Sequence, residues 1–256
     1  MILTADYHTH TDYSEGNSTI EENIARAKEL GLKEIALTEH GFSHVFFGLK
    51  RKEFDGYLKK LRAAEKEAGI PVLMGMESNI RGVTGLCDVT KKDYEKFDIF
   101  LAGVHIVIHY ETWADRRLVW KSYRMNKRGR TPSAEHVKEM TRLYINAIEK
   151  NPIDILTHLN FHCFSNAVEV AKCCRDNGTY LEISSKKPHL TDDELAACAA
   201  TGVRFVINSD AHTSDRIGDT KIAEEQIARV GIPLSQIDNI DGRLPTFRFA
   251  EYKKHM

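Results

Sequence analysis

The sequence predicts an α/β protein built as a single (β/α) barrel. Three observations carry that expectation. Short apolar runs alternate with amphipathic helical stretches along the chain, no segment rich in Gly, Pro or Ser divides the 256 residues, and 42% hydrophobic residues against 29% charged can furnish one large core. Strands that alternate with helices pair in parallel through crossovers. Seven firm strands and a doubtful eighth therefore favour one barrel with a degraded unit over two smaller domains. A doubly wound open sheet is the competing architecture.

The elements follow in order. "ILTADY" (2–7) reads as the first strand, and "STIEENIARAKELG" (18–31) as a helix that Ser18 or Thr19 can cap and Gly31 can stop. "EIALT" (34–38) is the second strand and "EFDGYLKKLRAAEKEAG" (53–69) the second helix. "PVLMGME" (71–77) and "FDIFLAGVH" (97–105) are the third and fourth strands. A basic, partly helical insertion is expected at about 110–132, because "RRLVWKSYRMNKRGR" (116–130) interleaves seven basic residues with Trp120 and Tyr123. Its place after the fourth strand puts it above the face on which the strands end. The pattern then resumes with a helix over 133–150, strand 153–157, helix 165–178 and strand 179–184. A helix over 191–202 carries a capping box at Thr191 and Glu194, and strand 203–208 follows. A helix near 219–230, a short "IDNI" and a C-terminal helix finish the chain.

Bulk properties exclude some classes. A net charge of −1 gives the surface as a whole no call on nucleic acid or acidic lipid. No apolar run is long enough to span a bilayer, and "MILTADYH" lacks the basic start of a secretion signal. Five cysteines form no CxxC pair, which favours reduced thiols and a cytoplasmic location.

Function is read at the strand ends, since barrels gather their reactive groups on the face formed by the βα loops. His8 and His10 follow the first strand and share one face of it; Glu39 and His40 follow the second. Glu77 ends the third strand, His105 the fourth, His158 follows the fifth, and Asp210 with His212 the seventh. The sixth, ending near Glu182 and Ser184, offers no obvious ligand. With 12 histidines in 256 residues, a three-residue window holds one by chance roughly one time in seven, so five of seven strand ends is an excess. Imidazoles mixed with carboxylates suit Zn, Mn or Fe, and so many ligands imply two or three divalent ions. Glu77 has two oxygens with which to bridge a pair of cations, an arrangement suited to splitting phosphate esters.

"DYHTHTDYS", "ALTEHGF", "GMESNI", "LAGVH", "LTHLN" and "INSDAH", in this order, resemble the PHP (polymerase and histidinol phosphatase) family. The resemblance implies a distorted (β/α)7 barrel, TIM-like, whose trinuclear metal centre hydrolyses phosphoesters. By position it makes His8, His10, Glu77 and Asp210 ligands of one ion, has Glu77 bridge to a second held by His105 and His158, and gives a third to His40 and His212. The chain departs from the pattern where relatives carry a further histidine after the His-x-His pair. "SEGN" stands there, with Glu15 as the nearest substitute ligand. Glu39 replaces the usual aspartate and is expected to support a ligand.

The reading is hydrolysis of a small phosphorylated metabolite by a metal-bound hydroxide, with Glu77 at the bridge and Asp210 or His212 moving the leaving-group proton. Arg216 is the favoured phosphate contact, ahead of Arg81, Lys186 and Lys187. Among other histidines, His189 in the sixth loop can face the site. His162, four after His158, would pair with it on a helix, but the residues before it read as strand and loop; His44, His109, His136 and His255 read as structural or solvated. The rivals are a histidinol phosphatase specifically, an amidohydrolase-like C–N hydrolase, in which a lysine usually stands where Glu77 does, and a non-catalytic metal-binding module.

Overall fold

Consecutive strands pair with one another in the computed structural model, which describes residues 1–256. All seven run parallel: β1 (Ala5–Asp6), β2 (Glu34–His40), β3 (Val72–Asn79), β4 (Leu101–Gly103), β5 (Ile155–Leu156), β6 (Tyr180–Ser184) and β7 (Phe205–Asn208). Around them lie α1 (Ile20–Glu29), α2 (Phe54–Ala68), α3 (Trp113–Lys127), α4 (Ala134–Lys150), α5 (Ala167–Asn177), α6 (Asp192–Ala199), α7 (Lys221–Val230) and a short α8 (Arg248–Lys253). The expected barrel is thus present, and the open doubly wound sheet is not. Two N-termini carry reciprocal capping boxes, Thr19 with Glu22 and Thr191 with Glu194. The basic stretch is more regular than expected: α3 runs for 15 residues, started by Thr112, whose hydroxyl accepts from the Asp115 N–H.

Where an eighth strand would stand, the barrel is closed by other means. Near the top, the His10 N–H donates to Ala211 O at 2.8 Å and joins the end of β1 directly to the end of β7. Lower down, residues 237–240 wedge between the two strands, Ile237 bridging in parallel to Phe205 and Ile240 antiparallel to Leu3. Asn239 stitches the seam with its side chain. Its Nδ2 donates to Ala5 O (2.9 Å) and Ile207 O (2.6 Å), and its Oδ1 accepts from the Ile207 N–H (2.9 Å). The short "IDNI" therefore does the work of the missing strand, and its asparagine satisfies backbone groups that would otherwise be buried unpaired.

Hydrophobic packing falls into two bodies. A cluster of 53 buried residues fills the space between strands and helices. A smaller one, Ala5, Tyr7, Ala36, Ile99, Leu101, Ile155, Tyr180 and Val206, plugs the barrel interior, with Phe247 against Tyr7 from below. The interior tightens toward the middle: a Cβ on Gly75 would come within 2.7 Å of both Thr38 and Ile99. Above that plug the inward-facing positions of the same strands become polar, because side chains two apart on a strand share a face. Tyr7 and His8 are both fully buried although adjacent, and β1 ends as a regular ladder at Asp6. The break there lets an aromatic plug residue and a site histidine follow one another. No helix is long and apolar enough to cross a membrane.

Candidate metal centre

The polar upper layer gathers side chains from all seven strand ends. Glu77, 1% exposed, stands at its centre. Its Oε2 lies 2.8 Å from His40 Nδ1, 3.4 Å from His8 Nε2 and 3.7 Å from His10 Nε2; its Oε1 lies 3.1 Å from His105 Nε2 and 2.5 Å from His158 Nε2. Asp210 Oδ1 sits 3.4 Å from His10 Nε2 and 3.8 Å from His8 Nε2. Glu15 reaches in from the loop after β1, its Oε2 3.0 Å from His40 Nε2 and 3.6 Å from His212 Nε2. All nine residues singled out as ligands thus converge. Three sets within them hold their donor atoms inside 4.8 Å of one another: His8, His10 and Asp210; His40, Glu77 and His105; His10, His40 and His212.

Backbone strain accompanies this convergence. His158 and Asp210 both adopt positive φ, 27° and 49°, a conformation that costs of order 1–3 kcal/mol in a non-glycine residue and persists where surroundings enforce it. For His158 the enforcing contact is visible: its N–H donates to Glu182 Oε2 at 2.8 Å. The neighbouring strand also yields space. Gly103 on β4 has no side chain because a Cβ there would meet Thr157 Oγ1 and His158 Cε1 below 3 Å.

Electrostatics give the layer its character. Burial alone would raise the carboxyls, but His105, His8 and His158 outweigh it at Glu77 and hold it well below the usual range; at Asp210, His8 and His10 do the same. Burial pushes His10 and His105 down. It works against His40 as well, yet Glu15 and Glu77 carry that imidazole up to about 9. Glu15, beside His40, falls to about 2. Carboxylate charge is therefore concentrated where water is excluded, and only bound protons or cations can balance it. Eight buried nitrogen and oxygen atoms on His8, His10, His40, Glu77, His105 and His158 lack a hydrogen-bond partner. Lone pairs left over in this number fit a group of divalent cations.

Several expectations change on the structure. Arg216 does not join the pocket; it lies in a 3₁₀ turn with its guanidinium 2.6 Å from Asp219. Short spacing from Asp210 suggested the site, but a salt bridge three residues on claims the charge. Arg81 braces a loop, donating from Nε to His109 O. Lys186 is the cation that arrives, its Nζ 3.2 Å from Asp210 Oδ2 and 3.2 Å from His212 Nδ1, with Lys187 also lining the pocket. Glu39 touches no imidazole; it accepts from Thr11, Ser14 and Tyr57 and so fixes the loop that carries Glu15. His44, read as structural or solvated, stacks on His40 at 5.2 Å and lines the pocket together with His162 and His189.

Sequence reasoning missed Glu182. Its Oε1 lies 2.8 Å from His8 Nδ1 and accepts from Asn208 Nδ2 at 2.9 Å. A carboxylate on Nδ1 fixes that nitrogen as the donor and aims Nε2 at the site. The signal was a lone acidic residue inside the apolar run "TYLEIS", on the inward parity of its strand.

A seven-stranded parallel barrel with a buried, multi-histidine carboxylate centre at the C-terminal ends of its strands defines the class of molecule. Residues 6–186 match the model of the PHP domain, and the chain belongs to that family. It is 31% identical over 252 residues to a probable phosphatase of Thermoanaerobacter sp. (strain X514), covering 94% of this chain and 92% of the relative. It is 27% identical over 250 residues to a probable phosphatase of Shewanella halifaxensis (strain HAW-EB4), covering 93% and 89%. Among solved structures it is similar in fold to histidinol phosphate phosphatase of Lactococcus lactis, determined with zinc, L-histidinol and phosphate. That likeness has a TM-score of 0.60 at 17% identity and covers 98% of both chains.

Proposed function

We propose that the chain is a single-domain, metal-dependent phosphomonoesterase acting with two or three divalent ions. The observation that carries the reading is the set of eight unpartnered buried nitrogen and oxygen atoms on Glu77 and the five histidines about it. His8, His10, Glu77 and Asp210 would hold one ion, and Glu77 would share itself with a second held by His105 and His158. Glu15, His40 and His212 supply a third set, with the Glu15 carboxylate in reach of both imidazoles. Divalent ions bound there would lower the pKa of a water and polarise the phosphoryl oxygens. A glutamate rather than a lysine at the bridge favours phosphoester over amide hydrolysis.

The chain's own groups then divide the work. Glu182 orients His8, and Gly103 lets His158 approach. Lys186 and Lys187, at the mouth of a pocket of about 440 Å³, attract the phosphate dianion of a small phosphorylated compound. In hydrolysis the P–O bond to the leaving group breaks, the oxygen of water joins phosphorus, and one of its protons ends on the leaving oxygen. Where that third set holds no ion, His212, at 18% exposure the most open of these imidazoles, would carry that proton on Nε2, its Nδ1 being held 3.0 Å from Asp210 O. The test is phosphate release from p-nitrophenyl phosphate with Zn, Mn or Fe supplied, alongside metal analysis of the same sample. Turnover that disappears in Glu77→Gln supports the reading; no cleavage of any phosphoester by metal-loaded protein overturns it.

A further inference from the structure

A second concavity adjoins the pocket, and the chemistry above does not use it. Helix α3, the turn after it and α4 wall a groove of about 1190 Å³. Seven arginine and lysine side chains line it, among them Arg116, Arg117, Lys121, Arg124 and Arg142, against two acidic residues, Asp115 and Glu139. None of the seven forms an ion pair. The Asp115 carboxylate is committed elsewhere, accepting from the Val83 N–H at 2.8 Å and the Thr112 hydroxyl at 2.5 Å. In a chain of net charge −1, so local a surplus is repulsive until a ligand supplies counter-charge. His136 adds an independent sign of a ligand: it is 3% exposed, lines the groove, and its Nε2 has no partner.

The groove meets the metal-centre pocket at Trp120. A further depression, lined by Val107, Tyr110, Trp113 and Arg116, shares residues with both, and Trp120 lines all three spaces. One indole is therefore common to the pocket around Glu77 and the arginine groove. We propose that the groove holds the leaving group of the substrate, and that this leaving group carries further phosphoryl groups, bound by Arg116 and Arg124. The proposal rests on the phosphomonoesterase reading and narrows it to polyphosphorylated substrates. One phosphate dianion is met at the metal centre, and forked guanidiniums beyond it suit additional phosphoryl oxygens. A polyphosphorylated small metabolite and a short oligonucleotide with a terminal phosphate share this chemistry.

The two tryptophans of the chain, Trp113 and Trp120, both line the groove, so intrinsic fluorescence reports on it without turnover. Arg116 and Arg124 are exposed, so Arg116→Gln with Arg124→Gln leaves the core untouched. Tripolyphosphate titrated into the metal-loaded protein is expected to change tryptophan emission saturably. The double variant is expected to weaken that binding at least ~10-fold, the scale of one lost charge-assisted hydrogen bond. Unchanged binding in the variant overturns the proposal. In turnover, the ratio of kcat/KM for fructose 1,6-bisphosphate, or for a 5′-phosphorylated trinucleotide, to that for p-nitrophenyl phosphate should exceed one and collapse in the double variant. Which of the two substrates leads identifies the source. Ratios of one or below for both, with p-nitrophenyl phosphate cleaved, sink this inference alone. No turnover on any of the three sinks the phosphomonoesterase reading, while the fluorescence titration still decides whether the groove binds polyanions.

Discussion

The two ends of the barrel are both buried and both polar, yet they are finished differently. At the N-terminal end the polar groups around the seam and below the plug meet partners from the chain. Asn239 closes the β7–β1 seam, Asp154 accepts from the Phe100 and Phe249 N–H groups at 2.9 and 2.8 Å, and the Tyr7 hydroxyl donates to Glu34 at 2.6 Å. At the C-terminal end imidazoles and carboxylates face one another with lone pairs to spare. A saturated polar layer stabilises a fold. An unsaturated one is strain that only a ligand relieves, and its presence at one end of a barrel marks where function sits.

The sharpest way to break that contrast is to exchange the consequences of its two central residues. Glu77→Gln removes the charge on which His8, His10, His40, His105 and His158 converge. Phosphomonoesterase turnover should fall by at least ~10²-fold, as when one group stabilising transition-state charge is lost, while thermal unfolding stays cooperative. Asn239→Ala should do the reverse. It strands two carbonyls and an N–H, each costing about 1–3 kcal/mol, yet should leave kcat unchanged at temperatures where the protein is folded. Calorimetry and steady-state kinetics on both variants read the two effects. Lost activity without lost stability in Asn239→Ala would erase the distinction between the ends.

Metal removal sharpens the same comparison. Chelation should abolish turnover, and restoring Zn or Mn should return it together with a higher Tm. Ions at ~100 times their Kd add about 2.7 kcal/mol, or several degrees for a chain of this size. Glu77→Gln should lose most of that rise and Asn239→Ala none of it. A smaller effect is expected one step back from the ions: Glu182→Gln should cost about 10–100-fold in metal affinity or activity, because it loosens His8 rather than removing a ligand.

How much of this was legible in the sequence follows from the same division. The convergence of the candidate ligands was readable because strand ends in a parallel barrel meet on one face, so His8, Glu77 and Asp210 could be placed together without knowing any distance. Glu182 was not, since its role depends on a cross-barrel neighbour, His8, 174 residues away. Arg216 misled because nearness in sequence to Asp210 says nothing about which carboxylate a flexible side chain will choose, and Asp219 was nearer. "IDNI" gave no sign that its asparagine would stand in for a strand, because the seam it fills exists only once β1 and β7 meet. The basic character of α3 was plain, but not that Trp120 would line the pocket.

The N-terminal end also has a pH dependence of its own. Burial raises the Asp154 carboxyl to about 7, and the Phe249 and Phe100 N–H groups only partly offset it. An unfolded aspartate titrates near ~3.9, so the folded chain holds this proton more tightly than the unfolded one. The sign follows: Asp154 contributes stability that is complete below about pH 4 and is lost as pH rises toward 7, with a slope of up to ~1.4 kcal/mol per pH unit. Asp154→Asn carries no proton to lose. It keeps one acceptor oxygen and sacrifices the other, so it should be less stable than the parent at pH 4 and regain ground steadily up to pH 7. Denaturant unfolding of both proteins in metal-free buffer across that range isolates the difference, since the histidines at the other end titrate alike in each. Parallel stability curves would mean that Asp154 is already ionised at pH 4, and that its two N–H donors suffice to hold a bare carboxylate in the bottom of the barrel.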